Sequence, residues 1–476
     1  MSSQAAPAGR GAASHRPRGS FLDRERTVAP PGYSRWLIPP AALAVHLSIG
    51  QVYAFSVFKT PLQDHFGTQG TPIAVIFSIA IVMLGLAAAF GGTWVERNGP
   101  RKTMVASALF FCGGLFIASA GVAMNQLWVV YLGYGVVGGI GLGLGYISPV
   151  STLIKWFPDR PGLATGLAIM GFGGGALIAS PLTNRLLGTY ADAPEDAIAP
   201  TMITLASAYL VLMLLGAWVV RVPAKDWRPA GWTPPQQQAG GMRATADTTA
   251  RNAIRTPQFW LLWVVLFTNV TAGIGILEQA APMVQEFFSQ IDAAAAAGFV
   301  GVLSLCNMAG RFVWSSTSDI IGRKRIYVVY LGVGLVAYLG VVLLGTSSVA
   351  VFVILTGIIL SFYGGGFATI PAYLKDMFGG LQVGAIHGRL LTAWSAAGVA
   401  GPLIINSLVD ARRASGATGA SLYQLPLLVM VGVLAVGFVA NALVKPVDPR
   451  FQEPVAGGAA SSSSAGQDRR EGVGNR

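Results

Sequence analysis

Long apolar stretches separated by short polar segments dominate this chain of 476 residues. A helix that crosses a lipid bilayer needs about 20 mostly apolar residues. Twelve stretches reach roughly that length, and they lie at 36–58, 73–94, 103–123, 127–153, 161–184, 202–221, 258–278, 295–317, 326–345, 349–374, 386–408 and 424–444. The sequence therefore predicts an all-α membrane protein with twelve transmembrane helices.

The composition agrees with a surface that faces lipid. Only 11% of the residues are charged, whereas soluble domains carry about 25%, so the charges are too few to cover a surface exposed to water. The net charge of +12 does not indicate a nucleic-acid partner, because the basic residues cluster between the apolar stretches rather than along one face. We expect the lipid bilayer to be the main surroundings of the protein.

The basic residues also predict the orientation. An even number of spans puts both termini on one side of the membrane, and that side carries most of the Lys and Arg residues. The other side carries only Lys59, Arg185, Arg412 and Arg413. Since cytoplasmic loops are enriched in Lys and Arg, the sequence predicts a multi-pass protein of the cell membrane with both termini in the cytoplasm.

Polar segments divide the chain into two halves. Residues 223–256 include Pro234, Pro235 and three glutamines, and they predict a cytoplasmic linker between two six-helix bundles. The two ends of the chain are of low complexity and predict disordered cytoplasmic tails. The predicted units are a tail at 1–35, a bundle at 36–222, the linker at 223–256, a bundle at 257–445 and a tail at 446–476.

A charged string after the second stretch of each half indicates a duplication. In both copies an acid is followed three residues later by glycine and then by a basic cluster. The same offset of 223 residues places Gly50 on Gly273 and His46 on Asn269. Two related bundles are the architecture of secondary transporters. The residues of the string are Gly92, Glu96, Arg97, Gly99, Arg101 and Lys102 in the first half, and Asp319, Gly322, Arg323 and Lys324 in the second.

The first string reads Gly-x-x-x-acid-Arg-x-Gly-x-basic-basic and resembles the cytoplasmic loop motif of the major facilitator superfamily. Departures are Glu96 in place of Asp, and Ser315 and Ile320 in place of Gly and Arg in the second copy. The resemblance implies two pseudo-symmetric bundles that work by alternating access, usually as a monomer. The acid can face the positive N-terminal end of another helix and so bias the conformational equilibrium. Alternatively, these residues only orient the loop.

Arg311 is the outlier among the apolar stretches, which otherwise contain almost no charge. A charged side chain in the middle of a membrane costs about 2.5–3.5 kcal/mol on insertion scales, so we expect Arg311 to face a cavity. The planar guanidinium matches a carboxylate, which predicts an anion site. The alternative is that Arg311 extends toward the cytoplasm and joins the loop around Asp319.

Polar and aromatic side chains predict the walls of the same site. His46, Gly50 and Tyr53 share one face of a helix, and His46 is equivalent to Asn269 near the middle of the membrane. Aromatic pairs in membrane helices are otherwise packing residues, and that alternative stays open here. The predicted substrate-binding residues, besides Arg311, are His46, Gln51, Tyr53, Asn269, Tyr363, Phe367 and Trp394.

Four longer strings of residues indicate a narrower family than the loop motif does. Residues 49–56, 153–164, 371–373 and 386–394 read IGQVYAFS, LIKWFPDRPGLA, PAY and IHGRLLTAW. Together they resemble the oxalate/formate antiporter family, whose relatives include monocarboxylate carriers.

That resemblance carries expectations about the substrate. It implies that an Arg of helix 8, here Arg311, holds a dicarboxylate together with a Lys of helix 11, whose position Trp394 occupies here. A single cation suits a monoanion such as formate, pyruvate or lactate. Oxalate, with two charges, remains the alternative.

Other classes of function have weaker support. The Gly-rich stretches lie within apolar spans and no Gly-Lys-Ser/Thr follows them, so no nucleotide is predicted. Glu195 and Asp196 lie together in an outer loop without histidines nearby, so no metal or other cofactor is predicted and the chain is not expected to be an enzyme. A drug or sugar facilitator and a membrane sensor are the less favoured alternatives. Antiport, proton symport and uniport stay open.

Overall fold

The computed structural model describes residues 20–68, 70–190, 195–225, 227–233, 244 and 246–453. Within these residues the secondary structure is helical, apart from one isolated parallel bridge between Val28 and Val222. We number the long helices α1 (Arg35–Ala54), α2 (Gly70–Asn98), α3 (Pro100–Ala123), α4 (Leu127–Trp156), α5 (Pro161–Tyr190), α6 (Ile198–Val219), α7 (Pro257–Phe287), α8 (Ala293–Ile321), α9 (Arg323–Leu344), α10 (Val349–Phe378), α11 (Val383–Ala414) and α12 (Ser421–Leu443).

Eleven of these helices are long and apolar enough to cross a membrane, by length and composition alone, and α8 is not in that set. Helix α8 has 29 residues, about 43 Å at 1.5 Å per residue, which exceeds the roughly 30 Å of a bilayer core. It carries Arg311, Asp319 and a Ser/Thr run at 315–318. The all-α membrane fold is thus confirmed, with eleven spans supported by apolarity and one by length.

The same packing pattern occurs in both halves. In the first half, α1 packs against α5 and α6, α2 against α4, and α3 against α4 and α6. In the second half, α7 packs against α11 and α12, α8 against α10, and α9 against α10 and α12. Each pair becomes its counterpart when six is added to the helix numbers, which is the arrangement expected of a duplicated bundle.

The two halves meet through the same kind of pairs. Helix α2 packs along α11, and α8 packs along α5. The helix ends at Glu96 (α2), Lys155 (α4), Asp319 (α8) and Arg323 (α9) lie together, and we call this side of the protein the basic face.

The glycine of each charged string sets the backbone between two helices. Gly99 has φ +87° and ψ 164°, and Gly322 has φ +91° and ψ 150°. This region of backbone conformation is essentially restricted to glycine. The repeat therefore preserves a sharp reversal of the chain at the basic face.

The N-terminal segment differs from the predicted tail at 1–35. Residues 1–19 lie outside the described part, but residues 20–35 pack on the basic face. Arg101 donates a 2.8 Å hydrogen bond to the carbonyl oxygen of Phe21, and its guanidinium lies 4.2 Å from the Phe21 ring. Arg35 pairs with Asp159 at 2.7 Å. The buried basic side chain of Arg101 needs carbonyl acceptors, and this segment supplies one.

The linker and the C-terminal segment also make contacts where they are described. Residues 226, 234–243 and 245 of the predicted linker, and 454–476 of the predicted tail, lie outside the described part. The Asp247 carboxylate accepts hydrogen bonds from the backbone of Gly380 and Leu381 at 2.8 and 3.1 Å. The Asn252 amide donates to the carbonyl of Phe451 at 3.2 Å. The chain on both sides of the second half is thus tied to that half.

Candidate functional site

The second charged string joins the two halves through Asp319, at the end of α8. Its two carboxylate oxygens accept hydrogen bonds of 2.9 Å from the backbone N–H groups of Gly162 and Leu163, in the first turn of α5. Arg323 donates to the same carboxylate at 2.5 Å and to Asp376 at 3.0 Å. The negative charge therefore lies at the positive end of a helix from the other half.

The first string makes the equivalent contact through Glu96, at the end of α2. Its carboxylate accepts a 3.3 Å hydrogen bond from the backbone N–H of Gly384, in the first turn of α11. Lys155 donates to it at 2.5 Å, a partner that the sequence pattern did not indicate. The helix approach is close, since a Cβ at Gly92 would lie 2.5 Å from the carbonyl oxygen of Gly384.

Four other basic residues of the strings bind within their own half or are exposed. Arg101 is buried and donates to the carbonyls of Phe21 and Val220 in its own half. Lys324 donates to the carbonyls of Ala442 and Val444. Arg97 and Lys102 are exposed. Among the residues of the two strings, the two acids thus make the contacts between the halves, with Arg323 and Lys155 beside them.

Arg311 lies deep in α8, fully buried. Its Nε donates to Asn307 at 3.2 Å, and Nη1 donates across the interface to the carbonyl of Ile169 at 3.3 Å. Its Nη2 is buried without a hydrogen-bond partner among the described residues. A Cβ at Gly173 would lie 2.9 Å from Nε, so the missing side chain makes room for the guanidinium.

No carboxylate of the described residues lies within 4 Å of the Arg311 guanidinium. Asp319 pairs with Arg323 instead. The alternative in which Arg311 joins the loop around Asp319 therefore differs from the structure. The positive charge of Arg311 thus has no anionic partner in the part of the chain that the structure describes.

Two aromatic rings flank this guanidinium, and they belong to a cluster of four rings from four helices. The ring of Trp394 (α11) lies 6.1 Å from Tyr146 (α4), 5.7 Å from Phe172 (α5) and 5.0 Å from Phe367 (α10), between centroids. The guanidinium carbon of Arg311 is 5.2 Å from the Phe367 ring and 5.9 Å from the Phe172 ring. We call these four rings the aromatic box. Two come from each half, so the box lies where the halves meet.

Three further predicted residues adjoin the box. His46 lies with its ring 5.6 Å from that of Tyr146 and its Nε2 3.3 Å from the Tyr146 carbonyl. Tyr53 packs edge-on against Phe172 at 5.1 Å. Tyr363 interacts electrostatically with both Arg311 and Tyr53. Phe367 and Trp394 are themselves members of the box, and Phe367 lies against Arg311. Their part in binding a substrate stays a prediction.

Two predicted residues are placed elsewhere. Gln51 accepts a 3.4 Å hydrogen bond from the Tyr134 hydroxyl, within the first half. Asn269 packs against Gly366, where a Cβ would lie 2.5 Å from the Asn269 Oδ1. The Gln51 Nε2 and the Asn269 Oδ1 are buried without a hydrogen-bond partner among the described residues. The hydrogen bonds of the Arg311 guanidinium go to Asn307 and Ile169 instead.

Sequence reasoning missed Tyr146 and Phe172 as members of the site. One signal for Phe172 was available, since it is the one large side chain within the Gly171–Gly175 run. His46 Nδ1 is buried without a partner among the described residues, but Nε2 donates to the Tyr146 carbonyl, so Nδ1 of the neutral ring is an acceptor. The Tyr146 hydroxyl and the Trp394 Nε1 are also buried without a partner among these residues, like Arg311 Nη2. A cluster of unpaired groups that can donate, around one cation, suits an anion with several acceptor atoms.

Residues 41–402 match the family model of the Major Facilitator Superfamily. The chain belongs to this superfamily. It is therefore a multi-pass integral membrane transporter and not an enzyme. The fold agrees with a solved major facilitator transporter, FucP in the outward conformation, with a TM-score of 0.65, 13% identity, and coverage of 87% of this chain and 100% of that one.

Two curated relatives are more similar in sequence. The oxalate:formate antiporter of Oxalobacter formigenes is 25% identical over 374 residues, which cover 77% of this chain and 83% of the relative. The apicoplast pyruvate carrier 1 of Toxoplasma gondii is 26% identical over 352 residues, which cover 63% of this chain and 62% of the relative. The resemblance to oxalate/formate antiporters and monocarboxylate carriers is thus confirmed at the level of the family.

Proposed function

We propose that this superfamily member carries small organic anions across the cell membrane, with monocarboxylates such as formate, pyruvate or lactate as its preferred class. One observation carries the proposal, the buried guanidinium of Arg311 with an unpaired Nη2 inside the aromatic box. A buried charge without a partner is costly. A bound carboxylate would supply the missing negative charge and the missing acceptors.

The number of cations in the box favours a monoanion. Among the described residues, Arg311 supplies the one positive charge at the box, because the four rings of the box, Tyr146, Phe172, Phe367 and Trp394, carry none. One negative charge neutralises it, whereas a dianion would bring an excess charge into a site of low polarity. The rings would cover the apolar part of a small organic acid.

The two relatives support the same chemical class, since one is named for oxalate and formate and the other for pyruvate. The antiporter is the reason to keep a second candidate, the exchange of oxalate or a similar dicarboxylate for formate. The two candidate functions differ in the charge that they require at position 394, because a dicarboxylate needs a second cation there and a monocarboxylate does not.

Transport by alternating access completes the proposal. The basic face, which we assign to the cytoplasm together with both termini, is sealed by α2 against α11 and by α5 against α8. Parting of these pairs would open the box to the cytoplasm, while the opposite face closes. We propose that the carrier works as a monomer.

Counterflow uptake into proteoliposomes tests the proposal. Labelled formate, pyruvate, lactate and oxalate are offered to the wild type and to Arg311→Gln, with Arg450→Gln as the control, because Arg450 is exposed beyond α12. We expect uptake of a monocarboxylate that falls at least about tenfold in Arg311→Gln, the loss of a charge-assisted bond of about 1.5–3 kcal/mol. Uptake that survives the mutation would exclude Arg311 as the anion site. Folded wild type that takes up none of the four would refute the proposed substrate class.

A further inference from the structure

A second histidine lies between the aromatic box and the basic face. His387 is in α11, three residues after Gly384, which contacts Glu96, and seven residues before Trp394 of the box. Its ring lies 5.8 Å from the ring of Tyr146. It comes from the second half and faces a residue of the first, so it lies at the interface on the sealed side.

The hydrogen-bonding capacity of His387 is unused. The residue is 1% exposed, and both ring nitrogens are buried without a partner among the described residues. A neutral imidazole carries one donor and one acceptor, and leaving such groups unpaired costs about 1–3 kcal/mol each. Packing alone would be served at least as well by an apolar side chain.

Three other polar side chains near His387 already have hydrogen-bond partners. Ser151 and Thr152 of α4 donate to the carbonyl of Ser148 at 3.0 and 2.8 Å. Arg389, two residues beyond His387, donates to the Ala385 carbonyl at 2.9 Å and to Thr93 at 3.3 Å. His387 is the side chain with free capacity among these, which points to a partner that arrives from outside the protein.

We propose that His387 is a second carboxylate-binding position, which the anion occupies between Arg311 and the cytoplasm when α2 and α11 part. The inference rests on the proposed function and adds a residue to it. Tyr146 adjoins both positions, because its ring lies 5.8 Å from that of His387, and 5.5 and 6.1 Å from those of Phe367 and Trp394 in the box. An anion that leaves Arg311 toward the basic face would therefore pass from one donor to the next.

Affinity measured separately at each face tests this role. The variants are His387→Phe, which fills the space without a donor, and His387→Gln, which restores one. The control is His65→Phe, because His65 contacts the Val122 carbonyl away from the box. With labelled pyruvate in oriented proteoliposomes, we expect His387→Phe to raise KM at the basic face about tenfold. KM at the other face should change less than about twofold, and His387→Gln should recover most of the loss.

A packing role gives a different pattern. A shift of the equilibrium between the two conformations would alter the apparent affinity at both faces, in opposite directions. That result would overturn the inference, and so would unchanged KM values in a folded His387→Phe. In either case the proposed function would still stand if Arg311→Gln is inactive. Wild type that transports no carboxylate would overturn both.

A second measurement covers the case in which His387→Phe does not fold. His387→Cys is prepared with Cys112 and Cys306 replaced by Ala, and reacted with a membrane-impermeant maleimide. Reaction from the basic face that pyruvate slows would support the inference. No reaction from that face, or reaction that pyruvate leaves unchanged, would overturn it.

Discussion

At the scale of the residue, the side chain at position 394 sets how much charge the box can hold. Trp394 is fully buried and contacts three other aromatic rings. We expect Trp394→Lys to shift selectivity toward dianions, because a second cation beside Arg311 compensates a second carboxylate, and its ammonium can lie over the remaining rings. The ratio of oxalate to formate uptake should rise about tenfold, which corresponds to about 1.4 kcal/mol.

Trp394→Phe is the matched control for that change. It removes the indole nitrogen and some volume but adds no charge, so it should leave the ratio of oxalate to formate unchanged. Competition of unlabelled oxalate against labelled formate in proteoliposomes measures the ratio directly. A transport-competent Trp394→Lys with the wild-type ratio would show that charge at this position does not determine the choice of substrate.

At the scale of the element, glycines determine how closely α2 and α11 approach. A Cβ at Gly388 would lie 2.0 Å from the carbonyl oxygen of Ala88, so the two backbones are in direct contact. We expect Gly388→Ala to push these helices apart and to favour the conformation that is open at the basic face. Spin labels at the exposed positions Lys102 and Leu381, in a chain without native cysteines, should report a longer distance in a larger fraction of molecules.

Gly432→Ala on α12 is the control for Gly388→Ala, because nothing lies within 4 Å of a Cβ at Gly432. Alanine is favoured over glycine inside a helix by about 1 kcal/mol, so this variant should be neutral or more stable. If Gly388→Ala left the distance distribution of the labels unchanged, the close approach of α2 and α11 would not limit opening.

Elements were more predictable than the contacts between them. The length of the apolar stretch predicted the boundaries of α10 closely, with 349–374 predicted and Val349–Phe378 observed. It underestimated α7, with 258–278 predicted and Pro257–Phe287 observed, because polar residues such as Glu278 continue the helix beyond the apolar part. The repeat of the charged string located both acids, since the same local sequence produces the same turn in each half.

The aromatic box could be predicted only in part. Arg311 stood out because a charge in an apolar stretch needs a reason, whereas an aromatic residue there does not. Tyr146 and Phe172 join the box because of how α4 and α5 are rotated against the second half, and that rotation depends on contacts between distant parts of the chain. The fold of residues 20–35 on the basic face has the same origin, since its partners Arg101 and Asp159 are remote in sequence.

At the scale of the whole molecule, each half contributes one acid that binds a helix N-terminus of the other half. The two contacts are equivalent in position but unequal in strength. Asp319 accepts two backbone bonds of 2.9 Å, whereas Glu96 accepts one of 3.3 Å. We expect both contacts to favour the conformation that is closed at the basic face, and so to bias the same equilibrium.

We therefore expect Asp319→Asn to increase the ratio of open to closed molecules about tenfold, through loss of charge-assisted bonds of about 1.5–3 kcal/mol, and Glu96→Gln to increase it less. The same spin labels measure the ratio, and Asp448→Asn is the control, because Asp448 forms an exposed pair with Arg450. Since the two contacts share no residue, the effects of a double variant should add in free energy. A larger effect from Glu96→Gln would refute the predicted order. No effect from either change would leave the acids as residues that only orient their loops. The predicted order follows from their hydrogen bonds alone, so it tests whether pseudo-symmetric sequence copies carry unequal shares of one conformational equilibrium.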